Sequence, residues 1–306
     1  MSRNPAIVFG GGGFIGTNLC RRLAGDGHPV RAFGHRRLFP AAMDGVEWIG
    51  GDFADTGAVA RALQSGATVY HLIHSTPPHA AGADAADSQR NIAPTLALLD
   101  RCRAAEVARI VFISSGGTIY GAASQIPTPE TAPTAPITPY AVSNLAIEQS
   151  LALHHQRGGL EYRVLRVTNP YGSFQTANKN QGVIAALIAR ALRDESIEIW
   201  GDGSVVRDFI YIGDVVDALV IAADDAGGTR ILNIGSGQGR SLREVIAAIE
   251  TALGKPLKVV FKPGRPTDVP VSVVAIDRAR EALGWAPKVD FPSGLDRTIA
   301  WWKRDD

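Results

Sequence analysis

A doubly wound, parallel α/β sheet with a smaller C-terminal α/β lobe is the fold class predicted for this chain of 306 residues. Three observations carry the prediction. Short, nearly continuous apolar runs alternate with segments of helical period from the N-terminus to about residue 170, as in a parallel sheet covered on both faces. A glycine-rich stretch, Gly10-Gly11-Gly12-Gly13-Phe14-Ile15-Gly16, joins the first apolar run to the first helical segment. Histidine and hydroxyl clusters recur where predicted strands end, the edge at which open α/β sheets bind their ligands.

The first strand is Ala6-Ile7-Val8-Phe9, and the amphipathic stretch 14–24 follows the glycines as a helix. Runs at 29–33 and 46–49 give the next two strands, 56–64 a helix, and 68–73 a fourth strand running into His71-Leu72-Ile73-His74. Helix 89–104, strand 109–114, helix 139–156 and strand 161–168 continue the alternation. Pro127 to Pro139 reads as an extended loop, because a strong helical pattern follows it at once. Later the pattern loosens: helices fall near 182–193, 213–223 and 241–252, a strand at 231–234, and loops at Asn178-Lys179-Asn180-Gln181 and Lys262-Pro263-Gly264-Arg265-Pro266. No internal repeat or low-complexity tract stands out.

Composition narrows the function classes. Apolar residues make up 45% and charged residues 20%, ordinary values for a globular enzyme. Lys and Arg number 31 against 30 Asp and Glu, so no strong field argues for nucleic-acid or membrane partners. Cys20 and Cys102 fall inside amphipathic helical patterns and read as buried thiols, and no metal-ligand spacing exists. A first strand beginning by Ala6 leaves no room for a signal peptide, and no run approaches the ~18 apolar residues needed to cross a bilayer. The expected setting is the cytoplasm.

Strand, glycine turn and helix in that order present backbone N–H groups and a helix N-terminus to a pyrophosphate. Gly10 allows the tight turn, Gly13 lets the backbone approach the phosphates, and Gly16 lets the helix pack closely on the strand, with Phe14 and Ile15 opening the helix. Residues 1–170 are therefore read as a dinucleotide-binding, Rossmann-like domain that also receives strands and helices from about 205–235. Residues 171–306 are read mainly as a substrate-binding lobe. Asp52 in Gly51-Asp52-Phe53, after the third strand, is placed to bond an adenine amino group with Phe53 beside the ring; a simple turn aspartate is the alternative. Pro139-Tyr140-Ala141-Val142-Ser143-Asn144 begins a helix and sets Tyr140 and Asn144 one turn apart on one face.

Together these residues resemble the extended short-chain dehydrogenase/reductase family, the nucleotide-sugar epimerases and dehydratases, over nearly the whole chain. The resemblance is carried by Gly10 to Gly16, Gly51-Asp52, His71-Leu72, Asn91, Ser114-Ser115 with Tyr120-Gly121, and Pro139-Tyr140. Later matches are Leu165-Arg166 with Asn169 and Tyr171-Gly172, Gly201-Asp202-Gly203, Arg207-Asp208-Phe209-Ile210, Asn233-Ile234-Gly235 and Leu283-Gly284-Trp285. It implies that Tyr140 is the acid/base that moves a sugar hydroxyl proton while hydride passes between sugar and nicotinamide. It implies further that Leu72 and Ser114 help hold the cofactor, that Arg207 and Arg265 clamp a substrate diphosphate, and that Asn169 donates to the same phosphates. Relatives of this kind often dimerise through two helices, and apolar stripes at Ala93-Leu96-Leu98 and Leu145-Leu151 suit a homodimer or core packing equally.

Three positions depart from the family pattern. Asn144 stands where the family has the lysine that helps a phenol of reference pKa ~10 work near neutrality. Asparagine still offers donors to the nicotinamide ribose. Gly116 replaces the hydroxyl residue that assists the tyrosine, leaving Thr118, favoured, or Ser115 to substitute. Gly34-His35-Arg36-Arg37 lacks the acid that holds an adenosine ribose diol, and the basic residues suit the 2′-phosphate of NADP unless they form only a solvated loop. The cofactor expected is NAD(P), with NADP favoured by this segment. The substrate expected is a nucleotide-diphosphate sugar, epimerised by reversible hydride transfer at C4. The alternatives are an NADPH-dependent 4-keto sugar reductase and a homologue that binds nucleotide without catalysis.

Overall fold

A computed structural model describes residues 4–76, 88–177, 182–264 and 269–304. Its first half alternates strand and helix: β1 (Ala6–Phe9), α1 (Phe14–Gly25), β2 (Val30–Gly34), β3 (Val46–Gly50), α2 (Thr56–Ala62), β4 (Thr68–His71), α3 (Ala93–Ala104), β5 (Arg109–Ser115), α4 (Pro139–Gly158) and β6 (Glu161–Val167). Then come β7 (Asn169–Tyr171), α5 (Val183–Leu192), β8 (Ile197–Trp200), β9 (Val206–Tyr211), α6 (Ile212–Asp224), β10 (Ile231–Ile234), β11 (Gly239–Ser241), α7 (Leu242–Leu253), β12 (Val259–Lys262), β13 (Val271–Ser272), α8 (Asp277–Leu283) and α9 (Phe291–Trp302).

Seven strands form one sheet in the order β10-β6-β5-β4-β1-β2-β3. The ladders β1–β2, β1–β4, β2–β3 and β4–β5 are all parallel. The chain winds outward from β1 to β3, then returns to β4 on the opposite side of β1. That reversal opens a crevice at the carboxyl ends of β1 and β4. The expected Rossmann-like sheet is present. Its core is apolar because β1 is buried at all four residues and α1 turns Leu19, Cys20 and Leu23 inward. Burial pushes the Cys20 and Cys102 thiols up to about 12.

By contact density the chain divides into two compact units. One comprises residues up to Ser115, Thr138–Arg166 and Val216–Leu232; the other comprises Gly116–Ile137, Val167–Val215 and Asn233 onward. Within the second unit, β9 pairs with β7, β11 and β13, and β8 pairs in parallel with β12. Its core gathers Tyr171, Leu187, Ile199, Phe209, Val245, Phe291 and Leu295. Helix α7 starts at a capping box in which Ser241 and Glu244 satisfy each other's backbone N–H groups. Asp208 is buried there, accepting from Ser236 N at 2.7 Å and Ser236 Oγ at 2.6 Å. Most strands of this unit have two to four residues, too short for an alternating pattern to register in sequence. Among the described residues no helix is long and apolar enough to cross a membrane.

The first unit buries one titratable ring at the edge of its crevice. His71, the last residue of β4, lies between Phe53 and Phe112 with ring centroids 5.1 and 5.4 Å away, and its Nε2 is 2.9 Å from Thr95 Oγ1. Burial, with a smaller push from His74, lowers its pKa to about 3. An unfolded histidine titrates near ~6.5, so between there and about pH 3 the unfolded chain binds a proton that the folded chain refuses. Stability therefore falls as pH drops through that window. In urea titrations His71→Gln should flatten the dependence by up to ~1.4 kcal/mol per pH unit relative to wild type; parallel slopes would contradict the assignment.

Candidate active site

The site begins at a turn with no side chains. Gly10 adopts a φ of +87°, and its N–H bonds to Phe33 O at 2.9 Å, tying the turn to β2. A Cβ on Gly12 would strike the Arg36 carbonyl oxygen, and one on Gly16 the Gly10 carbonyl oxygen. At Gly13 an added Cβ meets only Gly10 O, at 3.4 Å. Gly13 is also the N-cap of α1 and offers no side-chain acceptor, so the first N–H groups of the helix stay directed outward. Gly12 is thus closed by the protein's own backbone, while Gly13 keeps an open face.

Over this turn lies a cavity of about 590 Å³, lined by residues from five segments of the first unit, Gln89 and Arg90 before α3 among them. Gly10, Gly12 and Gly13 contribute from the turn, Gly34, His35 and Arg36 from the end of β2, Asp52 and Phe53 from the end of β3, and Leu72 and His74 from the end of β4. Phe14, Ile15, Gly16 and Ser114 are not among its lining residues. Asp52 is exposed and its Oδ1 accepts from Ala54 N at 2.9 Å, the simple turn role that was the alternative to adenine binding. Phe53 is only 7% exposed and packs on Phe9 and His71, so its ring belongs chiefly to the core. Arg36 lines the cavity, whereas Arg37 lies over the Trp48 ring at 5.8 Å.

The hydroxyl cluster assembles at the start of α4. Thr138 caps the helix, its Oγ1 accepting from Ala141 N at 3.3 Å, with Pro139 in the first turn. This cap places Tyr140, and one turn later the fully buried Asn144 donates Nδ2 to the Tyr140 carbonyl oxygen at 2.9 Å. Asn144 Oδ1 has no partner among the described residues. The side chains of Asn144 and Ser115 both hydrogen-bond the phenol and pull its pKa down; burial pushes harder the other way, so Tyr140 titrates above the usual tyrosine value. His74 lies against the same ring, centroids 4.3 Å apart. Ser114 turns elsewhere, donating Oγ to Glu148 Oε1 at 2.5 Å, and Glu148 also accepts from Arg166 Nη2 at 2.6 Å.

In the second unit Thr118 is half-buried within the turn 116–120. Asn169 donates Nδ2 to the Asp208 carbonyl oxygen at 2.9 Å, and Arg207 donates Nη1 to Val206 O at 2.9 Å and Val269 O at 2.8 Å. Arg265 and Asn178-Lys179-Asn180-Gln181 lie outside the described residues. His74, Leu38, Gln89 and Arg90 line the cavity without having been singled out in sequence. His74 alone carried a signal, as the last residue of a histidine-bearing strand end.

Residues 6–235 match the model of the NAD dependent epimerase/dehydratase family. The chain belongs to this family. A UDP-glucose 4-epimerase of Mycolicibacterium smegmatis is 33% identical to it, the match covering 97% of this chain and 98% of the relative. The crystal structure of UDP-glucose 4-epimerase with UDP-glucose from Thermotoga maritima superposes with a TM-score of 0.92 at 31% identity, covering 98% and 99% of the two chains. The Thermus thermophilus UDP-glucose 4-epimerase in complex with NAD gives a TM-score of 0.90 at 32% identity and the same coverage.

The residues present fit the dinucleotide that names the family. The glycine turn supplies an uncapped helix N-terminus and an open face at Gly13, and the cavity above continues past the ends of β2, β3 and β4. Because Gly12 has backbone oxygen where a side chain would go, Gly12→Ala should lower NAD affinity at least tenfold and destabilise the fold by ~1–3 kcal/mol. Calorimetric titration with NAD and a denaturation curve check both; wild-type values would show that the turn relaxes freely.

Proposed function

We propose that this member of the family is a nucleotide-sugar 4-epimerase that uses NAD and acts on a UDP-hexose. The observation that carries the reading is the Tyr140 hydroxyl, held by Ser115 and Asn144 in the unit that contains the glycine-lined cavity. Gly10, Gly12 and Gly13 with the N-terminus of α1 would hold the dinucleotide pyrophosphate, and Asp52 and Leu72 would flank its adenosine half. When bound, NAD supplies the hydride acceptor that becomes the donor on return. Tyr140 takes the proton from the sugar 4-hydroxyl and gives it back, Ser115 donates to the phenol oxygen, and Thr118 is the second hydroxyl available to the substrate. In the second unit, Asn169 spends one amide hydrogen on Asp208 O and keeps another for phosphate. Arg207, whose Nη1 donates to Val206 O and Val269 O, and Arg265 are the residues that would bind the diphosphate.

Cofactor choice turns on the end of β2. Gly34 provides no carboxylate, and His35 and Arg36 line the cavity, so we infer that NADP is accepted alongside NAD. That observation also favours the second reading, an NADPH-dependent 4-keto sugar reductase. The purified protein separates the two: nicotinamide released on denaturation supports the epimerase, and an empty protein that oxidises added NADPH with a keto sugar supports the reductase. Arg36→Ala should weaken NADP about tenfold or more while leaving NAD within about twofold; equal losses for both cofactors would assign Arg36 to general binding.

Exposed Leu96 on α3 and Val142 and Leu153 on α4 support a homodimer through these helices, while Leu98 and Leu151 are core residues. Free, buried Cys20 and Cys102 suit the reducing cytoplasm.

Tyr140→Phe should reduce interconversion of UDP-glucose and UDP-galactose by about 10²–10⁴-fold. The reactive form for oxidation is the phenolate, and burial holds the Tyr140 pKa high, so activity should climb as pH rises into the alkaline range. Asn144→Lys places a cation beside the phenol, lowers that pKa, and should move the rising limb toward neutral pH. Superimposable pH profiles for wild type and Asn144→Lys would remove the electrostatic argument.

A further inference from the structure

The glycine turn offers backbone N–H groups and a helix end to a diphosphate, but Gly10 to Gly16 contains no cation. Among the residues lining the cavity above it, Arg36, Asp52 and Arg90 carry full charges. Arg36 follows the end of β2. Arg90 stands on a π-helical turn, Ser88–Ile92, that leads into α3. That turn is tied to the segment leaving β4: Asn91 Oδ1 accepts from Ser75 N at 2.7 Å, and Asn91 Nδ2 donates to Thr76 Oγ1 at 3.0 Å. Strand order places β1 between β4 and β2, so the two arginines reach the cavity from opposite sides of the glycine turn.

A buried polar chain fixes the backbone that carries Arg90. Thr95 Oγ1 donates to Asn91 O at 2.6 Å, which spends its one hydrogen. Toward His71 it must therefore accept, so His71 Nε2, 2.9 Å away, carries the ring hydrogen. His71, Thr95 and Asn91 are all buried. The Arg90 guanidinium beside this chain is exposed and engages no protein group among the described residues. A rigid support thus presents an uncommitted cation to the cavity.

We propose that Arg90 binds the pyrophosphate of the dinucleotide, from the wall opposite Arg36. The proposal rests on the reading that this cavity holds NAD. The N-terminus of α1 offers about half a positive charge, less than a pyrophosphate carries, and Asp52 adds a carboxylate to the lining. A guanidinium supplies the deficit and matches phosphate oxygens with paired N–H donors. Arg36, just past the end of β2, belongs to the adenosine ribose and to any 2′-phosphate on it. Arg90, tied to the β4 side of the turn, serves the phosphates that NAD and NADP share.

The test is calorimetric titration of the full-length protein, freed of nicotinamide with charcoal, with NAD, NADP and ADP. Arg90→Gln keeps a polar side chain and removes the charge. Expected is a loss of about tenfold for all three ligands, the lower end for a charge-assisted contact because Arg90 is exposed. Affinity for ADP should also fall less steeply with added salt in Arg90→Gln than in wild type. Because Arg90 holds no protein group, the urea midpoint of the empty protein should stay where it is. Unchanged NAD and ADP affinities in Arg90→Gln would overturn the proposal. A loss confined to NADP would overturn it by assigning Arg90 to the 2′-phosphate, and a lowered urea midpoint by showing a structural role. Wild-type protein that binds neither NAD nor ADP would sink the parent reading instead.

Discussion

Backbone meeting backbone at the turn after β1 is the constraint on which the first unit depends. Gly10 N–H reaches Phe33 O on β2, and Leu72 N–H at the end of β4 reaches Phe9 O at 3.0 Å. Three neighbouring strands thus end together, with the turn between them and the Arg36 carbonyl oxygen pressed over Gly12. At Gly12 and Gly16 the excluding atoms are backbone carbonyl oxygens, of Arg36 and Gly10, and at Gly11 the excluding atom is the Ala32 Cβ. The absence of side chains also leaves α1 uncapped, so its N-terminal partial charge faces the cavity.

A second constraint sets the rotation of α4. Glu148 is buried and accepts from Arg166 on β6 at both Nε (3.1 Å) and Nη2 (2.6 Å), and from Ser114 on β5. Such a cluster contributes little net stability compared with an apolar packing of the same volume, but losing one member leaves a buried charge at a cost of ~3–5 kcal/mol. Its geometric effect is larger than its energetic one. Tyr140, Asn144 and Glu148 follow one another at one-turn intervals, so a carboxylate pinned between β5 and β6 presents the phenol to Ser115, the residue beside Ser114. His74 lies against the same phenol ring.

Legibility in the sequence followed the range of the interaction. The glycine turn, the strands and helices of the first unit, and the Tyr140–Asn144 spacing are local patterns, and the structure contains them with boundaries shifted by a few residues. Much of the second unit was not legible: β13 has two residues, and β7 and β11 three each. Side-chain direction was less legible still. Phe53 reads as a partner for a bound ring, yet its neighbours Phe9 and His71 draw it into the core. Ser114 reads as a cofactor ligand, yet Glu148 takes its hydroxyl.

The order of elements and the inventory of reactive groups are legible in the chain alone, because period and spacing act over a few residues. Which of those groups touch was decided only by the tertiary structure. His74 and Tyr140 belong to different βα units, and no local rule relates them. They meet because parallel pairing sets β4 and β5 side by side, and because the Thr138 cap and the buried Glu148–Arg166 pair fix how α4 lies in the same unit.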